Sequence, residues 1–587
     1  MTATGLAAEP AADRAEIVHV LNRLGFGPRP GDVERVAKIG VREYIDQQLH
    51  PEAIDDAACD ALLKKLDTQD LSGPQLTAAY FADIRDFIAK QRAAGGMSED
   101  MKLRYGIDLG KSETASASAP APAPAAKSPE EKMKDAVNRV SVRALGELQT
   151  AKVVRAVMSE RQLQEVLVDF WSNHFNIDTR KDECRTLKVL DDRETIRPHV
   201  LGKFRDLLGA SAHSGAMLTY LDNKDNSKPR ELSVVEQKIR AAVVEKLVGF
   251  KAFYPDDKPK MDGGLNENYG REILELHTLG VDGGYTQKDV QEVARCFTGW
   301  AIQPMRGGFA FDPRRHDNEE KVVLGVTIPA GGGEKDGEQV LDLIARHPAT
   351  AHHIAFKLCQ RFISDEPPKS AVDRAAGVFT QTQGDLREVV KSIITSDEFL
   401  AADARRAKVK SPFEFAVSSV RVLGATMSLD EPADFEKVRW TLEGAAMLGY
   451  GADFTNGLPR KSLNWRIHDL GQPLFGYAAP TGWPEDSRKW VSAGALISRL
   501  NFALDLVSGR VVGLNFPPDQ PQTVAPENPE ALIDAIADRF ELTGLSEGTR
   551  RTLREQLVSA DDGTMASAGK KTQLVALVLG CPEFQRK

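Results

Sequence analysis

Between Gln162 and Phe175 the apolar side chains fall at Leu163, Val166, Leu167, Phe170, Trp171 and Phe175, the spacing at which one face of a helix is buried. The same periodicity recurs along most of the chain. Thr286, with Asp289 three residues on, forms a capping box ahead of the stripe Val290, Val293, Ala294 and Phe297, and Gly299 closes that helix. His347-Pro348 opens another, with Pro at the first helical position, and it runs through Ile354, Ala355 and Leu358 until Pro367-Pro368. Near the start, helical segments at Glu16–Leu24 and Val33–Leu49 flank the turn-rich GFGPRPGD. Strand alternation is scarce; the best candidate is Lys321 to Val326, following Phe309 and Phe311 in a Gly-rich stretch. The pattern predicts an all-α, multi-helix body with at most a small β-hairpin.

The periodicity breaks twice. From Ser112 to Glu130 the chain has too little apolar content to pack and enough proline to stay extended, which predicts a linker or a long surface loop. RVVGLNFPPDQPQTVAPENP then separates the main body from the last helical segments. The expected organisation is an N-terminal helical region (1–111), the Ala/Pro/Ser-rich linker (112–131), a main helical body (132–510) and a C-terminal helical extension (511–587). VVKSIITSDEFL and LVALVLGCPEFQ echo each other, each ending an apolar helix with an acidic-Phe pair.

Length and composition narrow the classes. A chain of 587 residues with 42% apolar and 27% charged positions can bury a sizeable core. A net charge of -9 and no dense lysine or arginine cluster argue against nucleic acid as a partner. No apolar run approaches the ~20 residues of a membrane-spanning helix. The start lacks the basic region and apolar core of a secretory signal, which predicts a cytoplasmic chain or one whose leader was removed. Cys59, Cys184, Cys296, Cys359 and Cys581 are odd in number and never in CxxC, so free, mostly buried thiols are expected. GxSxG, GxGxxG and phosphate-loop motifs are absent, and no resident cofactor is expected.

Taken in order, HVLNRLGFGPRPGDVERVAKIGVREYIDQQL, FWSNHFNI, GLNENYGREILELHTLGVDGGYTQKDVQEVARCFTGW, FDPRRHDNEEKVVLG, HPATAHHIAFKLCQRFISDEPP and GQPLFGYAAPTGWP resemble successive blocks of the bacterial family named domain of unknown function 1800. The resemblance runs from about Ile17 to Ala503. It implies an exported, periplasmic or secreted protein, often encoded beside a sulfatase-like companion family, domain of unknown function 1501. The chain departs from the pattern at Gly270, where Ala is usual, and in a charged insertion from Asp225 to Gly263.

The segment from Asn266 to Gly280 carries the most chemistry. It reads as a polar turn entering a short helix, with Glu272 set in an apolar arc between the directions of Leu276 and Leu279. A carboxyl group held there keeps its proton more readily, as a general acid requires, unless an arginine or backbone amides claim it as a structural partner. Glu267 in the preceding turn is the candidate second carboxylate for cleavage of a glycosidic bond. His316-Asp317 offers an imidazole oriented by a carboxylate, against the alternative of a plain surface turn. Asn266, Asn268, Tyr269, Arg271, Trp300 and Trp483 are the candidate substrate-binding residues, the aromatics as sugar-stacking platforms or as packing between helices. His174 extends the apolar stripe and reads as a core histidine.

Three functions remain open at this level. One is a hydrolase or lyase acting on a polysaccharide through Glu272, Glu267, His316 and Asp317. Another is a non-catalytic binding or assembly partner of the sulfatase-like companion. The third is a metal-dependent enzyme assembled from His316, His277 and a glutamate.

Overall fold

The structure is a computed structural model, and it describes residues 13–93, 140–248, 258–303, 306–429, 462–519, 529–542, 544–557 and 568–587. The Ala/Pro/Ser-rich linker and part of the charged insertion lie outside the described residues. The body is mainly helical, as the periodicity predicts. Nine helices frame the sites below: α1 (Arg14–Arg23), α2 (Val140–Met158), α3 (Gln162–His174), α4 (Glu267–Leu274), α5 (Gln287–Cys296), α6 (Pro348–Phe362), α7 (Pro412–Val422), α8 (Ala493–Val507) and α9 (Ala568–Gly580).

Local chemistry accounts for the helix ends. Thr286 accepts from the Asp289 amide and Asp289 answers at the Thr286 amide, the capping box that starts α5. His347 caps α6 with Pro348 behind it. Gly27, at φ +94°, lets GFGPRPGD turn under the buried Arg421, whose guanidinium donates to Gly27 O and Val157 O at 2.7 Å each.

Strand content exceeds the expected hairpin but stays small. Among the described residues four antiparallel pairs join β1 (Arg230–Leu232) to β2 (Lys260–Asp262), β3 (Trp300–Ile302) to β4 (Phe309–Phe311), β5 (Lys321–Val323) to β6 (Val326–Ile328), and β7 (Thr426–Met427) to β8 (Leu514–Asn515). β5–β6 is the hairpin foreseen at Lys321; β3–β4 uses the Phe309 and Phe311 stretch beside it.

One apolar cluster runs from Ile17 to Phe584. The stripe on α3 is fully inside it, with Trp171 at 0% exposure. α8 packs on α9, and Phe415 of α7 meets both Phe502 and Phe584, so the two sides of residue 510 share a core. The chain's last residues also pair with the body: Lys410 N donates to Gln585 O and Lys587 N to Lys408 O. All five cysteines are free and buried.

Candidate functional site

The strongest concentration of polar chemistry is a cleft of about 680 Å³, counted out to its open mouth, between α2, α3, α6, the start of α7 and the 472–490 loop. Residues at i, i+3 and i+4 place Asp169, Ser172 and Asn173 along one edge of α3, facing this space, and Asn176 joins them just past the helix end. Opposite them α6 brings Arg361 to the cleft, and His353 and Lys357 continue the same stripe at i, i+4 and i+8 behind it.

The cleft wall is an ion network. Arg361 reaches Asp169 at 3.0 Å, Glu414 at 3.2 Å and Glu485 at 3.5 Å. Lys152 holds the other side of Asp169 at 2.7 Å, and Lys587 pairs with Glu414. Burial pushes Asp169 upward, but Lys152 and Arg361 outweigh it and keep the carboxyl below its usual range. Burial of Glu414 is outweighed in the same way by Lys587 and Arg361, which hold it far down. These carboxylates stay ionised, so the wall presents fixed charge rather than protons to donate.

Trp483 and Trp490 line the cleft, and Tyr477 packs beside them in a row of three rings. Tyr477 and Trp483 lie 4.4 Å apart between centroids, Trp483 and Trp490 5.5 Å, and all three are half-buried. The loop that presents them is clamped to the end of α3. Asn173 donates to Trp483 O and accepts from Trp483 N, while Asn176 donates to Tyr477 O and Ala479 O. Gly482 makes the turn at φ +68°, and a Cβ there would stand 2.3 Å from Asn173 O. Phe475, a non-glycine at φ +58°, is held in the left-handed region with its ring 4.9 Å from Lys152 Nζ.

Behind the cleft lies a histidine cluster. His174 is 6.2 Å from His277 and 6.4 Å from His353 between ring centroids. Lys357 Nζ donates to His174 Nδ1 at 2.9 Å, which leaves the His174 proton on Nε2, bonded to His277 O at 3.1 Å. Burial, and then the Lys357 charge, push His174 well below the usual histidine range; the same causes take His277 to about 3 and His353 to about 4. Burial also brings Lys357 down to about 8, against the pull of Glu485. The imidazoles are neutral and Lys357 is the titratable member.

The residues singled out from the sequence are distributed differently. Glu272 is half-buried on α4, and among the described residues nothing hydrogen-bonds it or pairs with it. Burial and then Glu275 raise its carboxyl above the ordinary value, against Arg271. Glu272 acts electrostatically on Tyr220, whose hydroxyl donates to Ala478 O of the aromatic loop. Glu267 does not join it: five residues apart on one helix the two point roughly 140° apart, and Glu267 accepts from Gln287 and Gln291 of α5. The apolar arc changes too, because Glu275–Leu279 is a π-helical turn that breaks the helical phase assumed for Leu276 and Leu279. That turn ends at Gly280, where a Cβ would approach His353 Nδ1 to 3.0 Å.

His316 is not oriented by Asp317. It is fully buried, facing Asp336 at 3.1 Å and Thr298 O at 2.7 Å, while Asp317 pairs with Arg295 at 2.8 Å. Tyr269 is in the core against Phe297, and Trp300 has Gly337 so close that a Cβ would stand 2.4 Å from the indole; neither ring is open to a ligand. Asn266 caps α4 and donates to Asp222 O, Asn268 points at Leu221 O, and Arg271 donates to Gln287. Trp483 alone of the substrate-binding candidates lines the cleft. Among the described residues no group of three or more His, Cys, Asp or Glu is placed to hold a metal, so His316, His277 and a glutamate do not form the site considered for them.

Lys357, Arg361, Asp169, Glu485 and Trp490 escaped the sequence reading. The stripe His353, Lys357, Arg361 was the available signal, since three polar residues at helical spacing on a core helix require a polar partner surface.

No curated protein and no solved structure matches the chain. FWSNHFNI supplies His174, ILELHTLG supplies His277, HHIAFKLCQRF supplies His353, Lys357 and Arg361, and GYAAPTGWP supplies Trp483, so four of the blocks that carry the resemblance meet around this cleft. The family model described as "Protein of unknown function (DUF1800)" matches residues 19–586, and the chain belongs to that family.

Proposed function

We propose that the cleft binds a carbohydrate, with the apolar face of a sugar ring on Trp483 and its hydroxyl groups on the ionised wall below. The observation that carries this reading is the pair Trp483 and Trp490, half-exposed and lining a polar cleft, with Tyr477 packed beside Trp483. Aromatic faces offer apolar area, and fixed carboxylates and amides select hydroxyl geometry. A polysaccharide ligand agrees with the periplasmic or secreted setting and the sulfatase-like partner expected from the resemblance.

The test is a titration of purified protein with a panel of oligosaccharides, followed by tryptophan fluorescence. Binding that Trp483→Ala weakens at least about tenfold supports the assignment. A bound glycan whose affinity ignores that change, or no binding across neutral and acidic glycans, defeats it.

A second reading adds catalysis at the same loop. Glu272 has the raised affinity for a proton that a general acid needs, it is unpaired, and it is coupled to the aromatic loop through Tyr220. In this reading the protein is a hydrolase or lyase, and Glu272→Gln abolishes release of reducing ends while leaving glycan binding intact. Glycan cleavage undiminished in Glu272→Gln removes Glu272 from the chemistry.

A further inference from the structure

A second cavity, about 570 Å³ out to its mouth, lies between α1, α7 and residues 583–587, next to the aromatic cleft, with which it shares Lys587. Lys410, 4% exposed, lines it. Among the described residues no carboxylate pairs with its ammonium and no acceptor hydrogen-bonds it; the Phe584 ring lies 3.9 Å beneath it. The nearby Glu414 is already engaged by Lys587 and Arg361. A buried cation in this condition weakens the fold unless something in the cavity balances it.

Two further groups at the same cavity lack partners. His19, 4% exposed, bonds Phe399 O through Nε2 at 2.8 Å, so its proton sits there and Nδ1 is left as a buried acceptor with nothing to accept. Arg405 spends its terminal nitrogens on Asp13 and Glu16 but keeps a buried Nε–H without an acceptor. Five cations line the space, Arg405, Arg406, Lys410, Arg586 and Lys587, against the carboxylates Glu541 and Glu583. Both carboxylates are occupied, Glu541 by Arg14 and Glu583 by Ser546 and Thr549.

The unmet needs define a ligand with several anionic oxygens, for Lys410 and the Arg405 Nε–H, and one hydroxyl, for His19 Nδ1. Phosphate retains a proton near neutrality and has both; sulfate has the oxygens without the hydroxyl, and a simple carboxylate has fewer oxygens and no hydroxyl. We propose that this cavity is a binding site for a phosphate group, supplied by inorganic phosphate, which keeps its own hydroxyl, or by a small phosphomonoester whose organic part carries one. Burial brings Lys410 down to about 7, which agrees with an ammonium waiting for a counter-ion.

Calorimetric titration of the full chain at constant ionic strength tests the proposal, with inorganic phosphate, glycerol phosphate, sulfate and acetate as probes. Phosphate is expected to bind at least about tenfold more tightly than sulfate, and acetate more weakly still. Preference for glycerol phosphate assigns the site to phosphomonoesters, and the reverse assigns it to inorganic phosphate. Lys410→Met is expected to lower phosphate affinity at least about tenfold while the thermal midpoint without phosphate holds or rises. Arg586→Ala, at an exposed position, provides a second measure and is expected to weaken binding and flatten its salt dependence. Absence of phosphate binding tighter than about 1 mM, equal affinity for sulfate, or full affinity in both variants overturns the site.

Discussion

Asn173 and Trp483 exchange two hydrogen bonds across 310 residues of chain: the amide nitrogen donates to Trp483 O at 2.8 Å and the amide oxygen accepts from Trp483 N at 2.7 Å. One side chain thereby satisfies both backbone groups of the residue at the centre of the aromatic row. The loop needs no strand partner, and the indole is aimed by the end of α3.

Asn173→Ala leaves the Trp483 N–H and C=O without partners. A cost of about 1–3 kcal/mol is expected in chemical denaturation, with a fall in sugar affinity comparable to that of Trp483→Ala. An unaltered affinity would show that the loop is aimed by other contacts.

Arg361→Met removes the cation shared by Asp169, Glu414 and Glu485. Buried carboxylates deprived of a partner cost about 3–5 kcal/mol. Lys152 and Lys587 remain for two of them, so the low end is expected, together with an upward shift of the acid-unfolding midpoint. Urea unfolding at pH 7 and pH 5 measures both.

Lys357 gives a pH dependence of definite sign. Its pKa falls from an unfolded value near 10.4 to about 8 in the fold, so between these the unfolded chain binds more protons and stability rises with pH. The penalty is fully present below about pH 8 and is relieved by about pH 10.4, on the order of 3 kcal/mol at most. Lys410 and Lys587 slope the same way, so the wild-type minus Lys357→Met difference isolates this residue. Unfolding free energies of both proteins at pH 7, 8.5 and 10 should converge by that amount; parallel curves would remove Lys357 as the titrating group.

Gly270 is where α4 and α5 touch: a Cβ there would stand 2.8 Å from Val290 O and 3.1 Å from Ala294 N. Both are backbone atoms, so the helices must separate to admit Ala. Gly270→Ala gains about 1 kcal/mol of helix propensity and is expected to lose about 1–3 kcal/mol to overpacking, a net fall in the thermal midpoint. A rise would show that the two helices adjust freely.

The helices, their caps and the burial of the five cysteines were legible in the sequence because they depend on near neighbours: Thr286 with Asp289, His347 with Pro348, the α3 stripe ending at Phe175. Trp483 was legible as an aromatic on a tight turn. Which polar residues share a cleft was not, since Asp169 and Arg361 meet only after α3 and α6 pack, and the partners of Glu267, Gln287 and Gln291, come from α5. Likewise Trp300 and His316 carry the residue types of a site, yet Gly337 and Asp336 enclose them in the core. Periodicity specifies which face of a helix is buried; the partner across that face comes from distant chain, through packing and long-range hydrogen bonds that no local spacing encodes.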